Sequence, residues 1–95
     1  MLRSDDWELK RIAAKRVTYE KLHNVWILEI LSEQLEANAF RDSNDELFVD
    51  TIAWMTKALA SSAHPDFEPL VEKIARKAPA KKVRRHAKRA LRAYR

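Results

Sequence analysis

The residues with the most chemistry to offer lie near the end of the chain. Lys81, Lys82, Arg84, Arg85, Lys88, Arg89, Arg92 and Arg95 recur at helical spacing around a narrow apolar stripe. Residues 1–70 carry 8 Lys/Arg and 13 Asp/Glu, a balance of −5; residues 71–95 carry 11 Lys/Arg and a single acid, Glu72, a balance of +10. A basic cluster of this kind attracts phosphate backbones in a salt-dependent way. It equally suits an acidic protein partner or a solvated face, partly neutralised by the acidic stripe Glu29, Glu33 and Glu36. The candidate surface for an anionic partner is Lys81, Lys82, Arg85, Lys88, Arg89 and Arg92. Only Tyr94 is placed among these bases to stack on a ligand ring.

Other constellations are weaker. His23, His64 and His86 are far apart in sequence, and none is spaced with a second ligand as a metal site requires. Asp42-Ser43-Asn44-Asp45-Glu46 is acidic but lacks the glycine and the spacing of a calcium loop, and a polar turn with a helix cap accounts for it. Ser61-Ser62-Ala63-His64 holds a hydroxyl and an imidazole without a third group to orient them or an oxyanion loop. Trp7, Trp26 and Trp54 stand in helical stripes, where core packing is the expected use of tryptophan. No catalytic residue, cofactor or metal ligand is expected.

The elements that position these residues are helices. The 95 residues fit one domain with a modest core, and they include no cysteine and no glycine. Without cysteine there are no disulfides or thiolate chemistry, and an intracellular, cytoplasmic protein is the default expectation. Without glycine there are no phosphate-cradling loops, dinucleotide fingerprints or nucleophile elbows, and few means of closing tight hairpins. No apolar run approaches a membrane span, and the first residues lack a signal-peptide pattern.

Five apolar stripes at helical spacing predict five helices. The first runs from about Asp5 to Arg16, with Asp5 and Glu8 at its start. The second runs from about Tyr19 to Phe40 behind Thr18 as N-cap, with Leu22, Val25, Leu28, Leu31, Leu35 and Ala39 on one side. Trp26, Ile27 and Ile30 widen that stripe, so this helix is expected to be central. Ser43 and Glu46 form a capping-box pattern that opens a third helix to about Ser61, carrying Leu47, Phe48, Ile52, Met55, Ala58 and Leu59. The fourth starts near Asp66 after His64-Pro65 and ends at Pro79; the fifth spans about Lys81 to Tyr94. The expected core is Leu28, Leu31, Leu35, Ile52, Met55, Leu59, Leu70, Ile74, Val83, Ala87 and Leu91. Short connections make sequential helices antiparallel neighbours.

Val83-Arg84-x-x-Ala87-x-x-Ala90-Leu91 resembles the second helix of a HEAT or armadillo-type repeat, and Phe67-x-x-Leu70-Val71-x-x-Ile74-Ala75 resembles the first. Upstream, Lys57-Ala58-Leu59-Ala60 echoes Arg89-Ala90-Leu91-Arg92 at 32 residues' distance, and the stretch from Asp50 to Ser62 is similar to small HEAT-like proteins of bacteria. The resemblance implies a short right-handed stack of antiparallel helical hairpins. Residues 1–17 would cap it, 18–62 would form a degenerate hairpin and 66–95 a HEAT-like one. Such repeats place an acid shortly before the Val-Arg pair, whereas this chain has Ala80-Lys81-Lys82, so Arg84 lacks the usual ladder partner.

All-α architecture and the missing catalytic apparatus together predict a non-enzymatic interaction module, a helical-repeat adaptor or scaffold. Its partner would be another protein, a second copy included. The alternative is a nucleic-acid-binding protein that works through residues 81–95.

Overall fold

The computed structural model describes residue 2 and residues 5–94; Arg95, counted above among the basic residues, lies outside them. The fold is all-α: α1 (Trp7–Glu20), α2 (Val25–Asn38), α3 (Glu46–Ser61), α4 (Glu68–Lys77) and α5 (Lys81–Ala90). A 3-10 turn at Pro65–Phe67 leads into α4, and a second, at Leu91–Tyr94, tightens the end of α5. Among the described residues no helix is long and apolar enough to cross a membrane.

The starts of the helices follow from side-chain caps, one or two residues from the positions expected. Asp6, not Asp5, accepts the amides of Glu8 and Leu9 at α1. Asp45, not Ser43, accepts those of Leu47 and Phe48 at α3, while the Ser43 hydroxyl accepts the Asp45 amide. Thr18 is not the cap of α2. It lies inside α1, where its hydroxyl donates to the Ala14 carbonyl at 3.0 Å, and Asn24 caps α2 instead. A mid-helix Thr that finds the carbonyl four residues back no longer competes as a cap. The first helix therefore runs past the expected boundary at residue 17.

Two helix ends close without glycine. Lys21 after α1 and Ala63 after α3 both take a left-handed conformation with φ of 54°. The Lys21 amide returns to the Val17 carbonyl, and the Ala63 amide to the Ala60 carbonyl at 2.9 Å. Both satisfy end-of-helix acceptors.

The central helix is α3, not α2. It lies between α1 and α5, with α2 packed against α3 and α4 against α5. Nine of its residues are buried, including Ile52, Met55, Ala58 and Leu59. The small side chains Ala53, Ala58 and Ala60 let neighbouring helices approach, and Thr51 and Thr56 are fully buried because each hydroxyl donates to the carbonyl four residues back. The Thr51 hydroxyl also lies 3.2 Å from the Trp7 carbonyl at the start of α1.

Leu28, Leu31 and Leu35 from α2, Val71 and Ile74 from α4, and Val83 and Ala87 from α5 complete the core. Leu70 and Leu91, expected inside, are only partly buried at its edge. Trp7 meets Phe48 edge-to-face at 4.8 Å, and Trp54 packs on Tyr19 at 5.7 Å. Trp26 departs from the expectation of core packing, being 66% exposed.

Tyr94 folds back on the core, and its hydroxyl is buried without a hydrogen-bond partner among the described residues. Burial, reinforced by the nearby negative charge of Glu68, pushes its pKa up to about 12. An orphaned buried hydroxyl opposes folding. Tyr94→Phe should therefore raise the unfolding free energy by about 1 kcal/mol. A urea melt reads this as a higher midpoint at unchanged slope, and a lower midpoint would show that the hydroxyl is bonded in solution.

Candidate interaction surfaces

Two surfaces stand out, one apolar and one basic. The apolar one is a groove of about 390 Å³ where the last turns of α1 meet the first turns of α2. Leu2 lines it from the N-terminal segment, Ala13, Arg16 and Val17 from α1, Leu22 from the connection, and Trp26, Ile27 and Ile30 from α2. The left-handed residue Lys21 turns the chain, and the Asn24 cap starts α2 so that Val25 and Trp26 fall in its first turn. Leu28, Leu31 and Leu35 claim the face of α2 that meets α3, which leaves Val25 and Trp26 outside, 56% and 66% exposed. On α1, Leu9 and Ile12 share the outward face of Ala13 and Arg16 and are 39% and 40% exposed. The result is one continuous apolar strip across two helices. The sequence held a signal of it: the stripe of α2 is too wide for a helix buried on one face.

The basic surface is a groove of about 420 Å³ lined by Lys81, Arg84, Arg85, Lys88, Arg89 and Arg92. It contains five of the six residues expected there and gains Arg84. Val83 and Ala87 turn inward, so the row faces out along α5, and Lys81, Arg85, Lys88, Arg89 and Arg92 are all exposed. None of these five forms an ion pair among the described residues. No ion pair brings Glu29 or Glu36 to them, and α2 packs on α3, not on α5. Arg84 donates to the Ala78 and Pro79 carbonyls at 2.7 and 2.8 Å and so fastens the connection between α4 and α5.

Lys82 leaves the row and turns toward α3. Its ammonium lies 2.9 Å from one oxygen of Asp50, whose other oxygen accepts from Arg11 of α1 at 2.9 Å. Asp50 thus ties both flanking helices to α3. Arg11 also takes Glu8 at 2.8 Å, while its Nε is buried without a partner among the described residues. Beside this bridge His86 lies in a hollow with Trp54 and Lys57. Its burial, followed by the charges of Arg89, Lys82, Arg85 and Lys57, holds its pKa below the usual imidazole value. The field over this end of the molecule is positive.

Ser61 meets an imidazole, though not that of His64. The His23 Nε2 lies 2.9 Å from the Ser61 hydroxyl, which itself donates to the Ala58 carbonyl at 2.6 Å. With the serine proton committed to that carbonyl, Nε2 is the donor, and the pair joins the start of α2 to the end of α3. His64 caps the following 3-10 turn by accepting the Asp66 amide at 3.3 Å. These contacts fix the ends of helices.

Compared with family models, curated proteins and solved structures, the chain matches none. Its own geometry carries the functional argument.

Proposed function

We propose that the chain is a non-enzymatic interaction module, a short HEAT-like stack of helical hairpins that takes an amphipathic helix of another protein into the groove between α1 and α2. The repeat reading is supported by the order of packing, in which α1, α3 and α5 lie side by side with α2 and α4 behind them. It is also supported by the bridge between Asp50 of α3 and Lys82 of α5, 32 residues apart, the spacing of the sequence echo. Where the usual repeat would pair an acid with Arg84, this chain bridges the helices through Arg11, Asp50 and Lys82.

The observation that carries the binding role is Trp26. A tryptophan two-thirds exposed beside an apolar groove buries large area at small entropic cost when a partner covers it, which is why tryptophan anchors interfaces. A partner helix would lie along the strip formed by Leu9, Ile12, Leu22, Val25 and Trp26, as the next hairpin of a longer stack would.

The test places a photo-crosslinking residue at position 26 in cells, with the exposed position 36 of α2 as control. The expected outcome is one defined adduct from position 26 and none from position 36. Trp26→Ala should keep the helical spectrum and weaken the purified complex about 30-fold, the effect of an anchor worth about 2 kcal/mol. A partner that cross-links equally from both positions, or that binds the Trp26→Ala protein unchanged, would overturn the reading.

A further inference from the structure

The groove reading leaves the basic row of α5 unexplained, and among the described residues Arg84 alone of its members bonds within the fold. The row has six cations on one helix face and no acid among them. Lys81 and Lys82 sit in the first turn of α5, at the positive end of the helix dipole, and Ala80 supplies no side-chain cap. Cations are disfavoured at that end. Every helix from α1 to α3 is capped by an Asp or Asn side chain instead. Lys82 meets Asp50, but Lys81 has no anion among the described residues. Lys88 and Arg89, in the last turn, suit the dipole, so the row is held by the helix without any opposing charge.

We propose that Lys81, Arg84, Arg85, Lys88, Arg89 and Arg92 bind the phosphate backbone of a double-helical nucleic acid. From Lys81 to Arg92 the helix advances about 16 Å, at 1.5 Å per residue. Over that length a duplex presents roughly ten backbone charges, enough to meet every cation in the row. Arginine supplies four of the six side chains, and its planar fork suits phosphate oxygens.

The surroundings select among anionic partners. Single strands are held largely by stacking on aromatic rings. No aromatic ring lines the row, and Tyr94 at its end is packed against the core with its hydroxyl buried, while His86 and Trp54 line a separate hollow. A membrane-surface helix needs apolar side chains beside its bases. The large exposed apolar residues all lie on α1, on α2 and in the turn between them. Protein interfaces are poor in lysine at their centres and carry charges of both signs. A backbone contact without bases, rings or apolar wedges is what a duplex provides.

The test is fluorescence anisotropy of the whole chain with a short labelled duplex between about 50 and 200 mM salt. Six phosphate contacts predict a slope of log affinity against log salt of about −5.4, an approximately 1,800-fold loss over that range. Changing Arg85, Lys88, Arg89 and Arg92 together to Gln should flatten the slope by about 3.6, at 0.9 per contact. Changing Lys15, Lys21, Arg41 and Lys73 to Gln removes the same charge elsewhere and should leave the slope unchanged. If the fourfold variant loses its helical spectrum, Arg89→Gln alone should still flatten the slope by about 0.9. Equal loss in both fourfold variants, or a slope that Arg89→Gln does not alter, overturns the proposal. So does displacement of the duplex by polyglutamate of equal charge, or tighter binding to vesicles of anionic lipid.

Discussion

Leu59→Ala should lower the unfolding free energy by about 2–5 kcal/mol, and Leu31→Ala by a similar amount. Both side chains are fully buried, Leu59 on α3 and Leu31 on the face of α2 turned to the core. Truncation loses the transfer free energy of the removed atoms and leaves a cavity that close-packed neighbours fill only in part. Leu59 lies on the helix that meets α1, α2 and α5, so collapse around it must move several elements. A domain of this length has about 5–14 kcal/mol of stability, so either change removes a large share. Urea melts followed by circular dichroism give the number. A loss below about 1 kcal/mol at both sites would mean that the inward faces of α2 and α3 are wrongly identified.

Asp50→Ala should cost about 1–3 kcal/mol, although the residue is polar and not fully buried. One carboxylate holds Arg11 on one side and Lys82 on the other, so its removal releases both flanking helices and leaves two cations facing each other. The same group gives a pH signature. Burial by itself raises the Asp50 pKa, but the hydrogen bonds from Lys82 and Arg11 outweigh it and hold the group below its ordinary value of 3.8. The unfolded chain then takes up a proton on Asp50 more readily than the folded one. The contribution is complete above pH 3.8 and is lost as pH falls through the lower, folded value. Stability measured between about pH 6 and pH 2 should therefore fall further in the native protein than in Asp50→Ala, since the other carboxylates act alike in both. Parallel curves would remove the bridge from the list of stabilising contacts.

Periodicity made the five helices legible, because a buried face needs apolar residues every three to four positions. It did not reveal which helix lies in the middle. Val25, Trp26 and Ile27 broaden the stripe of α2 as much as a second buried neighbour would, and a one-dimensional pattern does not distinguish a face covered by the chain itself from one left open. The short residues that let α3 be surrounded, Ala53, Ala58 and Ala60, carry little hydrophobic signal. The basic row was legible nearly in full because it lies within one element, whose geometry follows from spacing alone. Lys82 was misplaced because its partner, Asp50, lies on another helix. The wide stripe of α2 signalled the apolar groove only in part, since α1, Leu2 and Leu22 supply the rest of its lining.

The left-handed turns at Lys21 and Ala63 have a consequence for the unfolded chain. Glycine would fit either site without the clash of a β-carbon, which costs about 1–2 kcal/mol in this conformation. Yet each glycine would also widen the range of shapes open to the denatured ensemble, a penalty of about 0.4–1 kcal/mol. A sequence of 95 residues with no glycine has restricted that ensemble along its whole length and accepted local strain at two helix ends. Its small core therefore has less disorder to overcome on folding.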